Sequence, residues 1–210
     1  MIRVIIADDH SVVRRGLKAI LEDERDIRVV AEAATGREAL DVAVRMDWDV
    51  LIVDISMPEM NGFEVIDMLR QYKPGIGILV LSMHLEEQFA VRALKAGAQG
   101  YLTKESAPEE LVKAVRVIMT GHRYISEKLA ESLAARLLEN DTRSLHERLS
   151  AREFSVMCLI ACGQTTIQIA HTLFLSPKTV ETYRSRLMAK MGMHTIAEIT
   201  RYAVENRLVD

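Results

Sequence analysis

Only two cysteines, Cys158 and Cys162, occur among the 210 residues. Two thiols four apart build no disulfide framework, and a reducing cytoplasm is the expected compartment. They sit in the apolar run Val156-Met157-Cys158-Leu159-Ile160-Ala161-Cys162 without other ligand types, so buried small side chains are expected rather than a metal or redox pair. No run of about 18 apolar residues is present, so no membrane partner is expected. The opening Met1-Ile2-Arg3-Val4-Ile5-Ile6 meets Ala7-Asp8-Asp9 directly, too short and too acidic at its end for a signal peptide. Net charge is small, −3, but unevenly placed. Residues 1–125 hold 16 Lys/Arg against 20 Asp/Glu, whereas residues 148–210 hold 8 against 5. An acidic first part and a mildly basic second part suggest two tasks, the second at a polyanion.

What is present begins with alternation. Short apolar runs at 3–7, 29–33, 50–53, 78–81 and 100–102 read as strands, and amphipathic segments at 12–22, 37–46, 62–70, 86–96 and 108–120 read as helices. Five strand-helix repeats in about 120 residues predict a doubly wound α/β fold, with a five-stranded parallel sheet and helices on both faces. The run Val50-Leu51-Ile52-Val53 is apolar throughout, as in a strand buried on both sides, and Asp54 follows it. Trp48, the one tryptophan, reads as a partly buried residue before that strand.

An Asp at a strand end can be a metal ligand, a nucleophile or a helix cap. The other strand ends narrow the choice. They leave Asp8 and Asp9, Ser82 and Lys104, and parallel strands bring these ends to one edge. Three carboxylates repel, by about 4 kcal/mol for two unit charges 4 Å apart at an effective dielectric of 20. A hard divalent ion relieves this, and Mg²⁺ is the usual one that works through carboxylates plus phosphate oxygens. Ser82 and Lys104 then suit a phosphoryl group carried by Asp54. A flavodoxin-like nucleotide site fits worse, because Asp8-Asp9 would repel phosphate. A haloacid-dehalogenase-type phosphatase needs an acid two residues beyond its nucleophile, where this chain has Ser56.

Asp8-Asp9, Asp54, Met57-Pro58, Gly62, Ser82, Tyr101 and Lys104 together resemble the receiver domain of two-component response regulators, over residues 1 to about 120. The resemblance implies that Asp54 accepts phosphate from a sensor histidine kinase. It implies that Asp9 and Asp54 hold Mg²⁺ with the backbone carbonyl of Ser56, and that Asp8 helps through water. It also makes Ser82 and Tyr101 a switch pair, and places Ser56 and His84 beside the phosphoryl group. His10, after the two aspartates, reads as a helix-start residue rather than a ligand.

Beyond Gly121 a helical spacing of Leu129, Leu133, Leu137 and Leu138 predicts a linker helix over 127–140, capped by Ser126, and then a polar stretch at 140–144. That helix is either a plain spacer or a hinge sensitive to phosphorylation. Residues 148–210 turn all-helical, at 151–162, 166–173, 177–191 and about 196–205. The second and third of these, joined by Phe174-Leu175-Ser176, predict a helix-turn-helix. At about 100° per residue, Val180, Tyr183, Leu187 and Met191 share a stripe that should face the core. Lys178, Glu181, Thr182, Ser185 and Ala189 lie opposite, with Arg186 on one flank. Lys178 and Arg186 are expected at phosphates, and Glu181 and Thr182 at base edges, the Glu accepting from a cytosine amino group. A plain solvated face fits the same periodicity.

Leu149-Ser150-Ala151-Arg152-Glu153, Gly163, Ile169-Ala170, Leu173, Leu175-Ser176-Pro177-Lys178-Thr179-Val180, Arg186 and Lys190 resemble the LuxR-type DNA-binding domain. Joined to a receiver, this is identified as the NarL/FixJ family, and the stretch 176–186 is similar to the GacA/UvrY type. The family often has Asn-Lys-Glu where Thr166-Ile167-Gln168 stand here, and Lys where Glu181 stands, so the preferred DNA sequence does not carry over. The expected organisation is a receiver at 1–121, a linker at 122–147 and a helix-turn-helix domain at 148–210. The implied function is a phosphoacceptor, not an enzyme beyond self-phosphorylation and autodephosphorylation. Its phosphorylation controls homodimerisation, binding of Lys178, Thr179, Glu181, Thr182, Ser185, Arg186 and Lys190 to double-stranded DNA, and access to the transcription machinery. The competing readings are a regulator whose second domain binds protein, and a free-standing phosphatase.

Overall fold

Strand β3 (Val50–Asp54) is buried at every position and sits at the middle of a five-stranded sheet. The computed structural model describes residues 1–73, 75–82, 86–126, 129–131, 145–206 and 208–209. Around β3 lie β1 (Ile2–Ala7), β2 (Ile27–Ala33), β4 (Gly77–Ser82) and β5 (Gly100–Thr103), in the order β2-β1-β3-β4-β5 and parallel throughout. Helices α1 (Ser11–Glu22), α2 (Gly36–Arg45), α3 (Gly62–Tyr72), α4 (Glu86–Ala96) and α5 (Ala107–Met119) alternate with them. The expected doubly wound fold is thus the observed one. Strand ends reach a residue or two further than hydrophobicity marks. Asp54 itself pairs with Leu81, and Ile27 pairs with Ile2, because ladder pairing continues wherever the neighbour supplies partners.

An all-apolar strand is what a sheet covered on both faces requires. Val4, Ile6, Val50, Ile52, Leu79 and Leu81 meet Leu17, Leu21, Leu111, Val115 and Ile118 in one core cluster, under α1 and α5. The alternate residues Ile5, Leu51 and Val53 face the other way and are equally inaccessible. Trp48 is more deeply placed than expected, 6% exposed, with Nε1 donating to the Ala43 carbonyl.

The chain divides into two units, residues 1–135 and 136–210. The first therefore runs past the boundary expected at 121. Tyr124 joins the core cluster and donates its N–H to the Gln99 carbonyl, and Leu129 is fully buried. Ser126 does cap the following turn, its hydroxyl accepting from the Leu129 N–H. Most of the helix expected over 127–140, with its hinge reading, and the polar stretch at 140–144 lie outside the described residues.

The second unit contains a 3-10 turn (Leu145–Arg148) and helices α6 (Ala151–Ala161), α7 (Thr166–Thr172), α8 (Pro177–Met191) and α9 (Ile196–Glu205). Their starts are fixed by side chains. Ser150, Thr165 and Thr195 form capping boxes with Glu153, Gln168 and Glu198. Ser176 caps α8 ahead of Pro177, and Gly192 ends it in the left-handed conformation, φ 67°. Val180, Leu187 and Met191 are buried as the periodicity predicts, with Tyr183 only half-buried. One expectation is corrected here. Cys158 is buried but Cys162 is exposed, because it is the cap residue after α6 and has left the helix's inner face.

Candidate functional site

In this strand order, β1 is followed on one side by β2 and on the other by β3. The cleft at such a reversal, beyond the carboxyl ends of the strands, is where an open sheet can hold a ligand. Asp8 follows β1, Asp54 ends β3, and the loop after β5 delivers Lys104 between them. Lys104 Nζ lies 2.9 Å from Asp54 Oδ2 and 2.7 Å from Asp8 Oδ2. All three side chains are at most 6% exposed. The Lys104 backbone is held by its N–H donating to the Ser82 carbonyl, which places the end of β4 against the same site. Ser82 and Tyr101 are both buried, Tyr101 completely.

The loop after Asp54 is tied at each end. Ile55 N–H donates to Leu81, Gly62 N–H donates to the Ile55 carbonyl, and Asn61 with Glu64 forms a capping box that starts α3.

Electrostatics follow from burial. Burial pushes the Asp54 carboxyl up to about 6; Lys104 pulls it down, Asp8 adds to the rise, and the Ser56 N–H lowers it again. For Lys104, burial acts to lower the ammonium, but Asp54 and Asp8 hold it above its ordinary range. One ammonium thus answers three carboxylates. Asp8 Oδ2 and Asp9 Oδ1 are buried without a hydrogen bond among the described residues. The close approach of Lys104 to Asp8 is a charge contact, not an aligned hydrogen bond. Ligand atoms of Asp8, Asp9, His10 and Asp54 lie within 4.8 Å of one another. Three carboxylates crowded together with a single ammonium among them fit a hard divalent cation.

His10 is placed here by the tertiary structure as well as by its helix-start position. Its N–H donates to Asp8 Oδ1, and its ring Nδ1 is 2.7 Å from Asp9 Oδ1. His84 lies outside the described residues.

In the second unit α7 and α8 pack around a turn that contains Phe174 at φ 53°. Lys178, Thr182, Ser185 and Arg186 are exposed together on α8. Lys178 and Arg186 make no ion pair among the described residues. An exposed, mostly small helix face with free cations at its margins suits a major groove.

Two family models match the chain: the response regulator receiver domain over residues 4–116, and the bacterial regulatory proteins of the luxR family over residues 147–203. The response regulator UvrY of Escherichia coli (strain K12) is 38% identical over 209 residues, 99% of this chain and 96% of that protein. The chain belongs to the NarL/FixJ family of two-component response regulators. The response regulator GacA of Pseudomonas aeruginosa is 36% identical over 211 residues, 100% of this chain and 99% of that protein. Among solved structures, Salmonella enterica serovar Typhimurium RcsB, bound to promoter rprA in the presence of phosphomimetic BeF3-, has a TM-score of 0.66 at 28% identity. That match covers 96% of this chain and 97% of RcsB.

The first unit is therefore a receiver with an acidic pocket, and the second a LuxR-type DNA-binding domain. Within this domain the structure gives five of the expected DNA contacts other partners. Thr179 lies in the α8 cap, its hydroxyl 2.8 Å from that of Ser176. Lys190 Nζ donates to Glu153 Oε2 at 2.6 Å, joining the end of α8 to the start of α6. Glu181 accepts from Thr166 and pairs with Arg184. Thr182 and Ser185 turn their hydroxyls to the carbonyls of Lys178 and Glu181 on their own helix. Glu153, Thr166 and Arg184 were not visible as partners in the sequence. The capping-box spacing of Ser150 and Glu153 could have pointed to the first.

Burial would raise the Glu153 carboxyl, but Lys190 and the Ser150 N–H and hydroxyl outweigh it and hold it below its ordinary value of 4.5. A depressed carboxylate stabilises the folded state above that value, and its contribution is lost as pH falls through the folded value. Glu153→Ala is expected to cost the DNA-binding domain about 2 kcal/mol at pH 7, from the lost cap and the lost charged hydrogen bond. Urea unfolding of the full chain, followed by a probe in this domain, measures it. The difference from the parent should shrink below about pH 4.5, and an undiminished difference at pH 3.5 would assign the cost to packing alone.

Proposed function

We propose that Asp54 accepts a phosphoryl group from the phosphohistidine of a sensor kinase, and that this controls dimerisation and sequence-specific DNA binding. The observation that carries the reading is Asp54, buried at the carboxyl edge of the central strand, with Lys104 and two further carboxylates around it. In the transfer, the phosphorus–nitrogen bond of the kinase histidine breaks and a phosphorus–oxygen bond to Asp54 forms, the imidazole leaving with its electron pair. Lys104, within 3 Å of Asp54, would meet the added negative charge, and the Ser82 hydroxyl would donate to a phosphoryl oxygen. Asp9 and Asp54 would hold Mg²⁺ with the Ser56 carbonyl, Asp8 assisting through water. When bound, the ion neutralises charge on the phosphoryl oxygens.

Ser82 and Tyr101 act as the switch pair that reports the phosphoryl group to the surface. Phosphorylation shifts an existing equilibrium of receiver conformations, and the shift brings two DNA-binding domains together. A single domain with few base contacts binds weakly, so two half-sites read by a homodimer are the physical route to affinity. The protein acts in the cytoplasm on the transcription machinery, as a phosphoacceptor with at most self-phosphorylation and autodephosphorylation.

The test is a salt-titrated DNA-binding measurement on the full chain, with and without a small acyl phosphate donor and Mg²⁺. The phosphorylated protein is expected to bind more tightly and as a dimer, with a steep salt dependence. No binding at low salt by either form would remove the DNA-binding reading. In the same assay Lys178→Ala should weaken binding to all sequences alike and lower the salt slope by about one contact. A change confined to the preferred site would make Lys178 a reader of bases.

A further inference from the structure

Glu181 stands on the outward face of α8, where a polyanion would dock and where a carboxylate repels it. The structure accounts for its charge without DNA. Thr166 Oγ1, at the first position of α7, donates to Glu181 Oε1 at 2.7 Å. Arg184 Nη2, one turn further along α8, lies 2.8 Å from Glu181 Oε2. Both carboxylate oxygens are thus engaged inside the helix-turn-helix, and the Arg184 head is drawn along the helix towards the outward face.

We infer that Glu181 is a tether that withholds Arg184 from DNA phosphates, and so lowers this domain's affinity for DNA of unrelated sequence rather than reading a base. The inference rests on the DNA-binding reading and deepens it. Each oxygen keeps a second lone pair, but a cytosine amino group would have to share a carboxylate already oriented by Thr166 and part-neutralised by Arg184. An Arg held by a neighbouring carboxylate is, to an approaching duplex, half of a neutral pair. The untethered cations Lys178 and Arg186 supply the general attraction. Arg184 joins them only where a phosphate sits close enough to compete with Glu181, which a poorly fitting duplex does not provide. Discrimination is a difference of affinities, and this device acts on the unwanted side of that difference. Thr166 holds the carboxylate in place from the neighbouring helix, so the tether is fixed by the fold of the motif and not by α8 alone.

The experiment compares the full chain with Glu181→Gln, Arg184→Gln and the double variant. The probes are a random-sequence duplex of about 30 base pairs, over a salt series, and duplexes selected by the parent protein from a randomised pool. Thermal melting confirms that each variant folds. Glu181→Gln should bind the random duplex about tenfold more tightly at low salt and show a steeper salt slope, by about one contact. In the Arg184→Gln background most of that gain should vanish, because no cation is left to release. An equal gain in both backgrounds would show only a removed negative charge and would overturn the tether. So would lost discrimination at a single base pair with unchanged affinity for the random duplex, which would make Glu181 a base reader. Failure of the parent to bind any duplex at low salt would instead remove the DNA-binding reading, and this inference with it.

Discussion

Asp54→Asn is expected to abolish labelling of the protein by a small acyl phosphate and, at the same time, to make it more stable at neutral pH. Loss of labelling follows because an amide offers no anionic oxygen to attack phosphorus, and no other carboxylate in the pocket ends the central strand beside Lys104. Persistent labelling of the variant would move the acceptor to Asp8 or Asp9. The gain in stability follows from burial. The Asp54 carboxyl is raised from 3.8 to about 6 in the fold, so the folded state binds its proton more tightly than the unfolded chain. With the sign fixed by that direction, this group favours folding most at low pH. Its contribution is lost as pH rises from about 4 through 6. The difference corresponds to at most about 3 kcal/mol. The Asn variant escapes it, and should unfold at higher urea than the parent at pH 7.5 while the two converge near pH 4. Millimolar Mg²⁺ should narrow the gap at pH 7.5 by stabilising the parent more than the variant. A variant less stable than its parent at pH 7.5 would mean that the Lys104–Asp54 attraction outweighs the burial cost. Function at this site thus requires a charge that the fold alone disfavours.

The second large effect is expected from one methyl group. A Cβ added to Gly62 would lie 2.3 Å from the carbonyl oxygen of Asp54, and within 3.0 Å of its carbonyl carbon and of Ile55 Cα. These are backbone atoms at the end of β3, bonded into the ladder and into the turn before α3, and they have no rotamer to yield. Gly62→Ala is therefore expected to cost about 3 kcal/mol or more. The damage is also local to the chemistry, since relief of the clash must move the Asp54–Ile55 peptide or the start of α3. Labelling at Asp54 should fall well below the parent even at temperatures where the variant remains folded. Urea unfolding and acyl phosphate labelling measured on the same sample check both parts. A variant as stable as its parent would show that the loop relaxes freely, and full labelling in a destabilised variant would separate the packing from the site. A Cβ added to Gly36 would likewise overlap the Met60 carbonyl oxygen, on the other side of that loop. The two glycines are required by close approach of backbone, not by a left-handed turn.

Much of this was legible in the chain. An apolar run of four with an Asp at its end, repeated strand-helix spacing, and acids, a hydroxyl and a lysine at the other strand ends were enough to assemble the pocket. Helix starts are marked in the chain where a cap and its partner lie three residues apart, as at Ser150 and Glu153 and at Asn61 and Glu64. Less legible were pairings between distant residues. Lys190 and Glu153 are separated by 37 positions, and Thr166 and Glu181 by 15, so periodicity places each on a face but not against the other. Tyr124 and Leu129 resembled the start of a linker, and only their burial extends the first unit to 135.

The sequence by itself determined the fold class, the two-unit order and the residues that end each strand, because these depend on local periodicity and on residue type. The tertiary structure decided which charges those residues meet. It gave Asp54 one ammonium and the company of two further carboxylates, gave Glu181 and Lys190 partners within the protein, and made Gly62 indispensable because any Cβ there would overlap the Asp54 carbonyl. Charge and close contact act over a few ångströms in space, and separation along the chain does not report such distances.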